Sequence, residues 1–200
     1  MDFKYGEFVI VPDTFVVAES DAECGELVAA GKQVLVPTAG DLALTLGASG
    51  TIPQAGSRAL ACSIDVLCVQ AWSDSGERRV WFAVSSVSIG KWWSGEWMVI
   101  TSTGRLDGFE VCPRAHPGDG FADLFVMQRG MRLRQRIAAR KKMRSGSHLP
   151  HPQMRVSKVN SLNSNESALL TIDGVPRGHF CQVEIELKPG FATALVALPA

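Results

Sequence analysis

From residue 58 to residue 197 the chain is a succession of short β-branched and aromatic runs closed by Gly, Ser, Asp or Pro, and this rhythm constrains its fold most. The runs are Ser63 to Trp72, Arg79 to Val87, Glu96 to Thr103, Gly108 to Val111, Phe121 to Met127, Met154 to Val159, Ala168 to Ile172, Cys181 to Leu187 and Ala192 to Ala197. Short strands at near-regular intervals with turn residues between them predict an antiparallel β-sandwich. One stretch interrupts them: Gly130 to Met143 reads as a helix, broken by Ser145-Gly146-Ser147. The first 57 residues are organised differently. Phe8 to Val11 is a strand ended by Pro12, and Ser20 with Glu23 caps an amphipathic helix reaching Ala30. Gln33 to Val36 is a strand, Leu42 to Leu46 a second helix stopped by Gly47, and Ala48 to Ser57 a boundary loop. The expected fold is mainly β (α+β), an antiparallel β-sandwich over 58–200 with one inserted helix, preceded by a small α/β remnant over 1–57.

Composition narrows the class. A chain of 200 residues buries about 70% of its unfolded surface and can build its own core. With 46% hydrophobic and 20% charged residues it is neither a disordered tail nor a coiled coil. No apolar run approaches the roughly 18 residues a membrane span needs. Asp2 and Glu7 stand where a signal peptide carries bases, so the expectation is a cytoplasmic chain, with peripheral membrane attachment as an added option. The five cysteines (Cys24, Cys62, Cys68, Cys112, Cys181) are scattered and never spaced Cys-x-x-Cys. They read as reduced, mostly buried small apolar residues.

Charge is distributed unevenly. Basic and acidic residues number twenty each, yet Arg129, Arg132, Arg134, Arg136, Arg140, Lys141, Lys142 and Arg144 fall in one acid-free stretch, leaving the rest of the chain strongly acidic. Such a segment is a candidate anion site, with Arg136, Arg140, Lys141, Lys142 and Arg144 as its binding residues. The plain alternative is a solvated helix. Leu133 and Ile137 are its only clear apolar pair, and the bases spread nearly all round the helical wheel, so no sharp membrane-lying face emerges. A nucleic-acid partner ranks lowest, because no aromatic interleaving or known motif accompanies the bases.

Four strings occur in order: Gly40-Asp41-Leu42-Ala43-Leu44-Thr45-Leu46-Gly47, Cys112 to Asp123, Gly146-Ser147-His148-Leu149-Pro150-His151-Pro152, and Ile172-Asp173-Gly174-Val175-Pro176-Arg177-Gly178. With the terminal Lys188-Pro189-Gly190-Phe191-Ala192 they make residues 35 to 198 resemble the C-terminal part of the diacylglycerol kinase and NAD kinase superfamily, in its bacterial lipid kinase branch. The resemblance implies a family that phosphorylates lipid hydroxyls with ATP and Mg²⁺, built from a nucleotide domain and a C-terminal β-sandwich.

Departures from the family pattern bear on function. The family's Gly-Gly-Asp-Gly-Thr phosphate loop has no counterpart string here. Too few residues precede Gly40-Asp41 for an α/β nucleotide domain, which needs on the order of 100 or more. The Gly-Thr-Gly-Asn-Asp stretch of the family stands as Pro37-Thr38-Ala39-Gly40-Asp41, with Gly40 in place of the amide side chain and Leu44 in place of an Arg. The resemblance makes Asp173 the general base on the lipid hydroxyl, a vestigial one because its accompanying acid is Val175. It likewise makes Asp119 a Mg²⁺ ligand, although the acid usually before it is Gly118. Read as local structure, Asp119-Gly120 and Asp173-Gly174 are simply turns between strands. His148 and His151 read as packing residues rather than ligands, and Trp92, Trp93 and Trp97 as core aromatics or an acyl groove.

The reading these observations favour is a lipid-kinase-like C-terminal domain standing alone, a pseudoenzyme that binds lipid, an anionic ligand or a partner. No cofactor is expected beyond Mg²⁺ at Asp119. The alternative is an active ATP-dependent lipid kinase completed by a separate nucleotide-domain chain. Candidate partners are an anionic lipid or membrane surface, such a nucleotide-domain chain, or a second copy.

Overall fold

Two long strands organise the molecule. The structure is a computed structural model describing residues 6–198. Its elements are β1 (Glu7–Ile10), β2 (Val16–Ala18), α1 (Asp21–Ala29), β3 (Val34–Pro37), α2 (Asp41–Leu46), β4 (Arg58–Trp72), β5 (Arg78–Ala83), β6 (Ser86–Lys91) and β7 (Ser94–Thr101). There follow β8 (Arg105–Leu106), β9 (Phe109–Glu110), β10 (Ala122–Met127), α3 (Leu133–Met143), β11 (Met154–Val159), β12 (Ser161–Ser164), β13 (Ala168–Ile172), β14 (Val175–Phe180) and β15 (Gln182–Ala197). Strands β4 and β15 pair antiparallel from Trp72↔Gln182 to Ala59↔Ala197, with a register shift between Lys188 and Ala192. They form the centre of a seven-stranded sheet ordered β1-β4-β15-β3-β2, with β5 added to β4 and β12 to β15. A second sheet, ordered β11-β10-β7-β6-β13-β14, lies across it, and β8 with β9 makes a small hairpin. The expected β-sandwich with one inserted helix is the fold.

One pair of strands serves two cores. Leu67, Val69, Ala71, Val183, Ile185 and Leu187 pack against Val87, Ile89, Ile100, Leu170 and Ile172 of the second sheet. Farther along the same strands, Cys62, Ile64, Val66, Ala192, Ala194 and Val196 pack against α1 and α2 through Cys24, Val28, Leu42 and Leu46. Hydrogen bonding runs across the boundary at residue 57: β3 pairs parallel with β15, and β1 pairs antiparallel with β4. Residues 1–5 and 199–200 of the two segments lie outside the described residues.

Several boundaries differ from the expectation. Val16–Ala18 is a strand, although it offers only a three-residue run. Arg79 to Val87 is two strands, because the chain leaves one sheet at Ala83 and enters the other at Ser86. Cys181 to Leu187 and Ala192 to Ala197 merge into β15, the Pro189-Gly190 pair making a bulge instead of a turn. Strands β12 and β14 lie between the expected runs, in stretches assigned to no element. The α1 cap is as expected: Ser20 Oγ accepts from Glu23 N at 3.2 Å.

Candidate functional site

The chain crosses between sheets at Val84–Ser85, and this crossing faces the N-termini of α1 and α2. Asp173, in the β13–β14 turn with φ +47°, brings its carboxylate to the crossing. Its oxygens accept from Val84 N (2.9 Å), Ser85 N (3.0 Å) and Ser86 N (2.8 Å). Burial, with the Asp21 charge nearby, nevertheless raises Asp173 to about 7. Asp21, on the first turn of α1, reaches across to α2: its oxygens accept from Asp41 N at 2.7 Å and Leu42 N at 3.1 Å. Burial lifts Asp21 to about 6. Asp41 in turn accepts from Gly108 N at 2.9 Å, and Ser85 and Thr103 join their hydroxyls at 2.9 Å.

This carboxylate group was only partly expected. Asp173 was singled out in sequence, whereas the part played by Asp21 was missed, because an acid after an N-cap reads as an ordinary helix start. Gly40 is explained by the same contact. Its φ is +100°, and a Cβ there would strike the Asp21 carboxylate. The turn from β2 into α1 leads a strand into a helix beside the parallel partner β3, the arrangement whose backbone amides cradle phosphates in nucleotide-binding folds. Here the turn is Glu19-Ser20-Asp21-Ala22-Glu23. Ser20 Oγ takes one terminal amide, the Glu23 carboxylate takes Glu19 N at 2.7 Å, and three acids surround the helix end.

The Asp119 carboxylate faces a different environment. One oxygen accepts from Phe121 N at 3.0 Å and the other is ion-paired with the Lys158 ammonium. Asp65, missed in sequence, is buried beside it and accepts from Gly120 N and Gly190 N, both at 2.8 Å. The lysine charge stands where a hard cation would need oxygen lone pairs, and among the described residues no three His, Cys, Asp or Glu converge on one point. The residues therefore do not fit a resident Mg²⁺.

The basic segment divides. Arg136 is only 1% exposed. Its guanidinium donates to the carbonyls of Met131 (2.8 Å), Trp92 (3.1 Å), Gln128 (2.7 Å) and Gly95, so its place among the anion-binding residues is corrected: it is a buried tie between α3 and the β6–β7 turn. Arg129 pairs with Glu166 at 3.0 Å. Arg140 lies between two rings, 4.7 Å from the Trp92 centroid and 4.4 Å from that of Phe109. Lys141, Lys142 and Arg144 are exposed. Among the described residues no salt bridge engages Arg140, Lys141, Lys142 or Arg144. His148 packs on Phe125 and bonds Val111 O at 3.0 Å, a core histidine as read. Trp97 is buried, whereas Trp93 is 47% exposed.

A family model described as the YegS C-terminal NAD kinase beta sandwich-like domain matches residues 80–196. The chain belongs to this family. Membership places it with the C-terminal domains of the diacylglycerol kinase and NAD kinase superfamily, as the four strings implied. A crystal structure of a diacylglycerol kinase from Bacillus anthracis Sterne superposes with a TM-score of 0.61 at 16% identity, covering 92% of this chain and 77% of that one. A second structure from the same organism, assigned as a diacylglycerol kinase, gives 0.57 at 15% identity over 83% and 69%. These likenesses show a shared fold. No curated protein sequence matches the chain. Among the described residues no helix is long and apolar enough to cross a membrane.

Proposed function

We propose that this YegS-family domain transfers no phosphate by itself and serves as a binding module for lipid or another anionic ligand. The observation that carries the reading is the Glu19–Glu23 turn. A phosphate cradle needs free amides and a positive potential, and in this turn the Glu19 and Glu23 amides are taken by side chains while Glu19, Asp21 and Glu23 make the turn acidic. Asp173 fits the same reading, since three backbone amides hold its carboxylate as a latch between sheets. Its work is structural, and Lys158 substitutes for a metal at Asp119.

Titration calorimetry with ATP and Mg²⁺ tests this. The expected result is no heat of binding at micromolar ATP; a dissociation constant at or below tens of micromolar overturns the reading. One observation favours the second reading, a lipid kinase completed by a separate nucleotide-domain chain: a carboxylate held near pH 7, as Asp173 is, suits a general base. That reading requires phosphate transfer to lipid that appears only when a nucleotide-binding chain is added and disappears in Asp173→Asn.

A further inference from the structure

The inference concerns the exposed flank of α3 beside the β6–β7 turn, and it rests on the lipid-binding reading while naming its surface. Arg136 fixes α3 to the β6–β7 turn through the Trp92 and Gly95 carbonyls, so the neighbouring exposed flank of the helix is presented rigidly. Leu133 (52% exposed) and Ile137 (42% exposed) stand one turn apart on it. Ile137 shares a shallow cleft of about 110 Å³ with Trp92, Phe109, Arg140, Lys141 and Arg144. Trp93, next to Trp92 with ring centroids 5.8 Å apart, extends the apolar rim from the β6–β7 turn.

Three features on one face have a joint explanation. Exposed Trp and aliphatic side chains bordered by bases match the chemistry of the headgroup boundary, where indole rings settle and Lys or Arg meet lipid phosphates. Stacking on Trp92 and Phe109 leaves Arg140 without an acidic partner, and nothing in the described residues neutralises Lys141 or Arg144. The acidic excess of the rest of the chain is repelled by an anionic surface and turns α3 toward it. We infer that this face, formed by Trp93, Leu133, Ile137, Arg140, Lys141 and Arg144, docks on an anionic bilayer with its three apolar side chains inserted among the headgroups. The helical wheel concealed this, because it weights all bases equally and omits Trp93, which comes from another element.

Vesicle co-sedimentation of the full chain tests the face, comparing pure phosphatidylcholine with vesicles in which part of it is phosphatidylglycerol. The expected result is binding to the anionic vesicles alone, weakening as salt rises. Reversing two charges (Lys141→Glu with Arg144→Glu) should weaken it about thirtyfold or more. Leu133→Glu with Ile137→Glu should also abolish it, and brominated acyl chains should quench tryptophan emission in the parent but not in Trp93→Phe. All these positions are exposed, and an unchanged melting temperature checks the fold. Anionic-vesicle binding that survives both double variants overturns this face and leaves the lipid-binding reading standing; no binding to any vesicle overturns both. Competition by inorganic phosphate without quenching means a soluble anion is the ligand, and the bilayer assignment falls.

Discussion

Arg136 illustrates how one residue type takes opposite roles within one helix turn. Four of its five donors satisfy four carbonyls in a space closed to water, which an ammonium cannot reproduce. Arg136→Met should lower unfolding free energy by roughly 3 kcal/mol or more, and Arg136→Lys should recover little of it. Urea denaturation reads both. Nothing in the sequence distinguishes Arg136 from Arg140, since the carbonyls that bury the first come from residues 92, 95, 128 and 131. Carboxylates add a pH dependence. Asp21 and Asp173 lie at about 6 and about 7, above the ordinary carboxylate value, so both favour their protonated forms when folded. Their contribution is complete below the unfolded value of about 4 and disappears as pH rises through 6 to 7. Stability should therefore fall as pH rises from about 4 to about 7, and the fall should be shallower in Asp21→Asn. A thermal midpoint that rises between pH 5 and pH 8, both about the edges of this window, contradicts the assignment.

Connections between elements depend on a few acids whose partners are backbone amides. Asp65 joins β4 to the Gly120 turn and to the Gly190 bulge, and its own amide donates to Pro117 O at 2.6 Å. Asp65→Ala leaves two amides without their acceptor and should cost about 2 to 4 kcal/mol, visible as a shift in chemical denaturation midpoint. A lone acid inside the apolar Ile64 to Leu67 run was a legible sign of such a tie, although its partners were not. Lys158 supplies the cation beside Asp119, so Mg²⁺ or a chelator should leave the melting temperature of the parent unchanged. The elements themselves were legible wherever periodicity and turn residues agreed, as in α1, α2 and β10. The β5–β6 break was not, because Val84 and Ser85 are spaced like any strand interior and only the Asp173 latch, 87 to 89 positions away, makes them a crossing.

At the scale of the molecule, the α/β part and the sandwich should unfold as one. Both cores hang on β4 and β15, so exposure of Cys24 in the first core should coincide with the tryptophan transition of the second. Thiol labelling of a variant keeping only Cys24, followed beside fluorescence in urea, measures this; two separated midpoints would show independent units. The sandwich was legible because β-branched and aromatic runs closed by turn residues recur from residue 58 to residue 197. The fusion of the two parts was hidden because strand pairing over more than a hundred residues leaves no local trace. That pairing also sets an order of events during synthesis. Strand β15 is the last described element, yet it occupies the middle of its sheet between β4 and β3. Until about residue 197 has cleared the ribosome, the inner edges of β4 and β3 have no partner, and the nascent chain carries two bare strand edges. Folding is thus held back to the end of translation of this segment, and its closing step is insertion of a strand into a waiting gap, a slow non-local event by the measure of sequence separation.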